Sequence, residues 1–360
     1  MTSDAHIVCS CRSGDAPHLD GYATAELLPL SDNQISSIVE GRTQSTDAFL
    51  LSVAKAGISN DLLDRPLFLN QLLTVFETNG SVPERPVELY RQLVQLLIHD
   101  WDRQHHVQRR SDYAGFDGET KREFLSEFAF RLTIEGRATF AEEVLLGIYA
   151  EIHKQFRLPG NQARRVVREI ESHVGIVMEV PSGFPVSHFT MQEYLCADNI
   201  SRRPLDKEVA AYLPRFPAVI AIAIAIALSP RPTTWLVECL RLSRSFKPPR
   251  LASAFVSRLG LERPRFSPDI ELGEALLSLM AQAATEEASS WERLGSIDAV
   301  RESVDLLSER YEFELRGARV AALRRRGDGK PGQGRPAFST VPREVFVLLG
   351  EVPAVSDAHG

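Results

Sequence analysis

Apolar positions recur at helical spacing along most of this chain and switch to strand spacing only briefly. The pattern is strongest between Leu62 and Trp101. There Leu67, Phe68, Leu72, Val75 and Phe76 form one apolar stripe that stops at Asn79-Gly80. Pro83 and Pro86 then open a helix with Tyr90, Leu93, Val94, Leu97 and Trp101 on one face. Three further helices are predicted over 116–134, 141–156 and 161–173. The apolar run Val174–Val180, the turn Pro181-Ser-Gly183 and Phe184–Ser187 predict a hairpin. Thr190 followed by Glu193 is a capping-box pattern, so the next helix should start at about Thr190. His188 then lies just ahead of a helix's amide-rich, positive end, where phosphates are favoured.

Helices, a two-stranded wing and a further helix spell a winged-helix unit. Residues 205–325 read as helical without an internal repeat, and from Arg326 through Pro336 the shift to Gly, Pro and Arg predicts a flexible linker. Within that region Phe216–Leu228 is the longest apolar run. It is too short to span a bilayer; its Ala-Ile alternation admits a strand, but its helical flanks favour a buried helix. At the other end, Ile7–Cys11 reads as a short buried strand and Ser31 as a helix start. A single edge strand makes no sheet, so its neighbours are expected from a segment that this sequence lacks.

Composition narrows the picture modestly. With 360 residues, 44% of them hydrophobic, the chain can bury two or three domain cores. A net charge of -7 argues against a general polyanion binder and makes nucleic acid an unexpected partner, though it leaves room for a local basic patch. Cys9, Cys11, Cys196 and Cys239 are too few and scattered for a disulfide scaffold, which points to a reducing compartment. The first residues carry neither a basic start nor an apolar core, so a soluble cytoplasmic protein without membrane contact is expected. His99, Asp100, Asp102, His105 and His106 spread around a helix end rather than along one face, so no metal is predicted. Arg316, Arg319 and Arg324–Arg326 read as a solvated helix end entering the linker.

Four segments together resemble the NACHT family, part of the STAND class of regulatory ATPases. His6-Ile-Val-Cys-Ser-Cys-Arg-Ser13 is similar to the family's sensor strand, and Arg65-Pro-Leu-Phe-Leu-Asn-Gln-Leu-Leu73 to a helix start whose proline packs against adenine. Val82–Tyr90 through Asp100-Trp-Asp102 resembles a helix of the first helical domain, and Phe184–Ala197 the histidine-containing end of the winged helix. The resemblance implies that Arg12 faces the γ-phosphate, that Pro66 flanks adenine, and that His188 contacts the β-phosphate of ADP. It implies a mainly α fold: the remnant of an α/β P-loop NTPase core over 1–60, a helical domain over 61–110, and a winged-helix-containing domain over 111–204. A C-terminal helical sensor or interaction region over 205–325 and a flexible tail over 326–360 would follow.

The departures are as informative. No G-x-x-x-x-G-K-[ST] occurs, and no apolar strand ending in paired acids precedes Arg12. The glycine-rich Gly327–Gly334 follows an arginine cluster rather than a strand and is no substitute. No catalytic residue is therefore assigned, and hydrolysis by this chain alone is not expected. The leading expectation is a regulatory signalling fragment that binds ADP or ATP weakly, or only with a protein partner or upstream NTPase half that supplies the P-loop. The alternatives are a nucleotide-free helical interaction module and a full NACHT ATPase whose start codon is assigned too late.

Overall fold

A computed structural model describes residues 28–56, 58, 63–100, 113–136, 139–140, 142–174, 184–185, 189–205, 207–212, 215–227, 231–242, 249–282, 293–316, 319–325 and 341–342. The chain is mainly helical and divides into two compact units. The first comprises Met1–Glu84 with Glu88–Cys196, the second Arg85–Val87 with Ala197–Gly360.

The first unit begins with α1 (Asp32–Arg42) and α2 (Thr46–Ala56). The side-chain oxygen of Gln34 accepts from the Ser31 amide at 2.9 Å, fixing the start of α1 where the sequence places it. α3 (Pro66–Asn79) buries Phe68, Leu72, Val75 and Phe76, and stops at Gly80, whose φ of 75° suits glycine. The Phe49 and Phe76 rings meet edge to face at 5.4 Å. α4 (Pro86–Gln95) ends in a π turn over Leu96–Asp100. Of the domain remnant expected over 1–60, the described residues hold these first two helices; the strand expected at Ile7–Cys11 lies outside them.

The winged-helix part follows. α5 (Gly118–Ile134) is capped by Asp117, whose carboxylate accepts from the Thr120 amide at 2.9 Å. β1 (Thr139–Phe140) leads to α6 (Glu142–Ile152), a 3₁₀ turn over His153–Phe156, and α7 (Ala163–Val174). Phe116, Phe124 and Tyr149 are fully buried between these helices, with the Phe124 ring 5.7 Å from Phe116 and 5.3 Å from Phe156. Lys121 on α5 and Glu169 on α7 form a buried ion pair at 2.9 Å. β2 (Phe184–Pro185) precedes α8 (Phe189–Arg202).

Two expectations need correction here. Val174 ends α7 rather than opening a strand, and Phe184–Pro185 pairs antiparallel with Thr139–Phe140, a strand too short for alternation to reveal. The remainder of the expected hairpin partner, 175–180, lies outside the described residues. α8 begins at Phe189, next to the expected start at about Thr190, so Thr190 lies within the helix rather than capping it.

In the second unit α9 (Lys207–Ala211) precedes α10 (Pro217–Ile226), which buries every residue from Val219 to Ala225 and packs against α12. The apolar Ala-Ile run is thus a helix, as its flanks suggest. α11 (Arg231–Leu242), α12 (Pro249–Glu262), α13 (Ile270–Gln282) and α14 (Asp298–Arg310) follow. Gly273 of α13 sits so near α14 that a Cβ there would meet the Ser303 carbonyl oxygen at 2.7 Å. Residues 311–316 and 319–325 are not helical: β3 (Tyr311–Arg316) and β4 (Arg319–Arg325) pair antiparallel, and β5 (Val341–Pro342) adds to β4. The strict alternation Tyr-Glu-Phe-Glu-Leu-Arg is the cause. Arg316, Arg319, Arg324 and Arg325 are therefore strand residues rather than a helix end, while the linker from Arg326 to Pro336 lies outside the described residues. Among the described residues no helix is long and apolar enough to cross a membrane.

Candidate functional site

Of the three residues that the resemblance implicates, Pro66 falls among the described residues; Arg12 and His188 lie outside them. Pro66 is the first residue of α3, where its missing N–H costs nothing. Its ring is exposed, the preceding Arg65 makes no side-chain cap, and the first turn holds no acidic residue. An exposed pyrrolidine ring at an acid-free helix start is chemically suited to lie against an aromatic base.

The helix that follows His188 is held firmly. On α8, Met191, Tyr194, Leu195 and Cys196 are buried. The Thr190 hydroxyl donates to Tyr90 Oη at 2.7 Å, and the Tyr90 and Tyr194 rings lie 6.2 Å apart. Gln192, 2% exposed, donates to the Thr133 hydroxyl at 3.2 Å. Tyr90 closes one quoted motif, and Thr190 and Tyr194 belong to the other. The fold thus joins two blocks that lie a hundred positions apart in sequence.

Two features carry chemistry that the sequence reading passed over. The first is a basic face on the helix-turn-helix: Lys154, Arg157, Arg164, Arg165 and Arg168 are all exposed. Arg164 reaches both carboxylate oxygens of Glu142, with Nη2 to Oε2 at 2.9 Å. Arg157 adopts the left-handed region at φ 55°, ending the 3₁₀ turn. The signal was readable, because His153 to Arg168 contains no aspartate or glutamate.

The second is Glu262, in the second unit. Its fully buried carboxylate accepts from the Val87 amide at 2.7 Å and from Arg258 Nε at 2.7 Å, while Arg85 Nε donates to the Glu262 backbone carbonyl at 2.9 Å. Burial pushes the carboxyl above its ordinary value, against the opposing pull of Arg258, the Val87 amide and Arg85. No local pattern could announce this pairing, since Val87 and Glu262 are 175 positions apart. Among the described residues the two thiols offer no such chemistry: burial pushes Cys239 up to about 12, so it stays protonated at neutral pH, and Cys196 is also buried.

The stretch from α4 through α8 follows one known arrangement. Residues 86–200 match the family of winged helix-turn-helix domains C-terminal to NACHT. The chain therefore carries a NACHT-associated winged-helix domain, and Tyr90, Thr190 and Tyr194 are part of it. The match covers both motif blocks that the Thr190–Tyr90 hydrogen bond ties together. Neither the curated proteins nor the solved structures give a match.

Proposed function

We propose that this chain is a regulatory part of a NACHT-type ATPase system, in which the winged-helix domain reports the nucleotide state to the helical body. The reading rests on one observation: within the NACHT-associated domain, the helix next to His188 is bonded through Thr190 to Tyr90. A phosphate pulling on His188 would act on the start of α8, and the Thr190–Tyr90 contact would pass that pull to α4. ADP is the expected ligand, with adenine against Pro66, the β-phosphate at His188 and Arg12 beside the γ-position of ATP. A P-loop from a protein partner or an upstream NTPase half would complete the cradle, and this chain would not hydrolyse ATP alone. The switch would be a population shift driven by differential contacts to the two nucleotides, acting in the cytoplasm.

A second reading, a nucleotide-free interaction module, draws on the exposed apolar side chains Leu28, Leu50 and Leu51 of the first unit. Calorimetry with ADP on the full chain separates the two. The regulatory reading expects weak saturable heat that His188→Ala reduces about tenfold or more, the scale of a charge-assisted hydrogen bond. No heat at high protein concentration, or unchanged affinity in His188→Ala, overturns it in favour of the module.

A further inference from the structure

From His153 to Arg168 the chain carries Lys154, Arg157, Arg164, Arg165 and Arg168 without one acidic residue, inside a protein whose net charge is -7. The fold turns all five outward, while Leu158, Ala163, Val166 and Val167 of the same run are buried. The arrangement runs against local preference. α7 has no acidic residue in its first turn, although negative charge is favoured there, and Arg164 and Arg168 are like charges at i,i+4 spacing. Arg157 occupies a left-handed position that glycine or asparagine would take more cheaply. Local rules broken together on one face point to a use for that face.

We propose that this face, the 3₁₀ turn and α7 of the helix-turn-helix, docks on the phosphate backbone of double-stranded nucleic acid. Two features favour a duplex over an acidic protein. Every fully exposed residue of the run is basic, an amide or a glycine: Lys154, Gln155, Arg157, Gly160, Asn161, Arg164, Arg165 and Arg168. A protein interface is anchored by aromatic or apolar groups, and here the run offers only the partly exposed Phe156 and Pro159 beside its cations. α7 is the second helix of the helix-turn-helix, of a width that the major groove admits, and flanking cations can then reach the phosphates on its edges. The proposal is independent of the nucleotide reading above. Whole-chain charge does not oppose it, because charges beyond about 10 Å are screened at ordinary salt.

The test is fluorescence anisotropy of a labelled duplex of about two helical turns with the full chain, between about 50 and about 200 mM salt. Arg164 is engaged by Glu142 and Arg165 also has a partner, so Lys154, Arg157 and Arg168 are the three cations counted toward phosphates, and log K against log salt should fall with a slope of about -2.7. Lys154→Ala and Arg168→Ala should each make the slope shallower by about 1, and Arg168→Lys should restore it. Arg301→Ala, an exposed arginine of the second unit, should change nothing. The proposal fails if the wild-type slope is shallower than about -1, or if Arg168→Ala behaves as wild type. It also fails if polyglutamate displaces the duplex at equal charge concentration, which assigns the face to an acidic protein. All the substituted residues are exposed, and unchanged thermal melts confirm that a lost slope reflects lost contacts.

Discussion

Glu262 sets burial against pairing in one carboxylate, and substitution decides which wins. Its side chain is fully buried at the end of α12, accepting from Val87 and Arg258 at 2.7 Å each. Val87 is in the first turn of α4, so the carboxylate serves as a cap supplied from a distant helix. Glu262→Ala removes that cap, worth about 1 kcal/mol, and one buried methylene at about 0.8 kcal/mol. The expected loss is about 2 kcal/mol, read as urea unfolding of the second unit by fluorescence of Trp235, which is 3% exposed. No ion-pair energy is added, because burial holds the carboxyl above its ordinary value and offsets the attraction to Arg258. Glu262→Gln keeps an acceptor without charge, so at neutral pH it should lie within about 1 kcal/mol of wild type. The sign with pH follows. A carboxyl whose folded pKa is raised binds more protons folded than unfolded between the two values, so wild-type stability falls as pH rises from about 4.3 through the folded value. Glutamine does not titrate. The stability of wild type minus that of Glu262→Gln should therefore shrink with rising pH. A difference that grows with pH would show that Arg258 and the Val87 amide outweigh burial, and would refute the reasoning.

Two further outcomes follow from single contacts. Tyr90→Phe and Thr190→Val, taken singly and together, should show a coupling of about 0.5–1.5 kcal/mol for the 2.7 Å hydroxyl pair, measured by denaturant unfolding; zero coupling would mean that each hydroxyl finds another partner. Arg157→Gly should raise thermal stability, since glycine relieves about 1 kcal/mol at φ 55°, while removing about one unit of the duplex salt slope; a lowered melting temperature contradicts the first half.

The helices were legible because their signals are local. Asn79-Gly80 marks the end of α3 and Ser31 the start of α1, and each operates within one turn of chain. The winged-helix pattern was readable from element order, and the family match bears it out over residues 86–200. Errors arose where a distant partner competes with a local signal. Thr190 has the capping pattern, yet it lies inside α8 and its hydroxyl bonds to Tyr90 instead. Phe184–Pro185 finds its strand partner across two helices, at a length where alternation has no meaning. Tyr311–Arg316 was different: its period-two alternation was plain in the sequence, and a broad assignment of the region as helical overrode it.

The basic face was missed because of averaging. Net charge governs solubility and the far field, and at -7 it argued correctly against a chain-wide affinity for polyanions. Docking is decided within about a Debye length, where the five cations between Lys154 and Arg168 face solvent and the acids that set the sign of the whole lie elsewhere in sequence. Glu142 does reach in, and it pairs with Arg164. Asp298→Asn, at an exposed acid paired with Arg301, should leave the duplex slope untouched, whereas Glu142→Gln should release Arg164 and steepen it by about 0.9. The sign is opposite to every arginine deletion. A non-specific charge effect would instead make all acid-to-amide changes act alike, in proportion to the net charge alone.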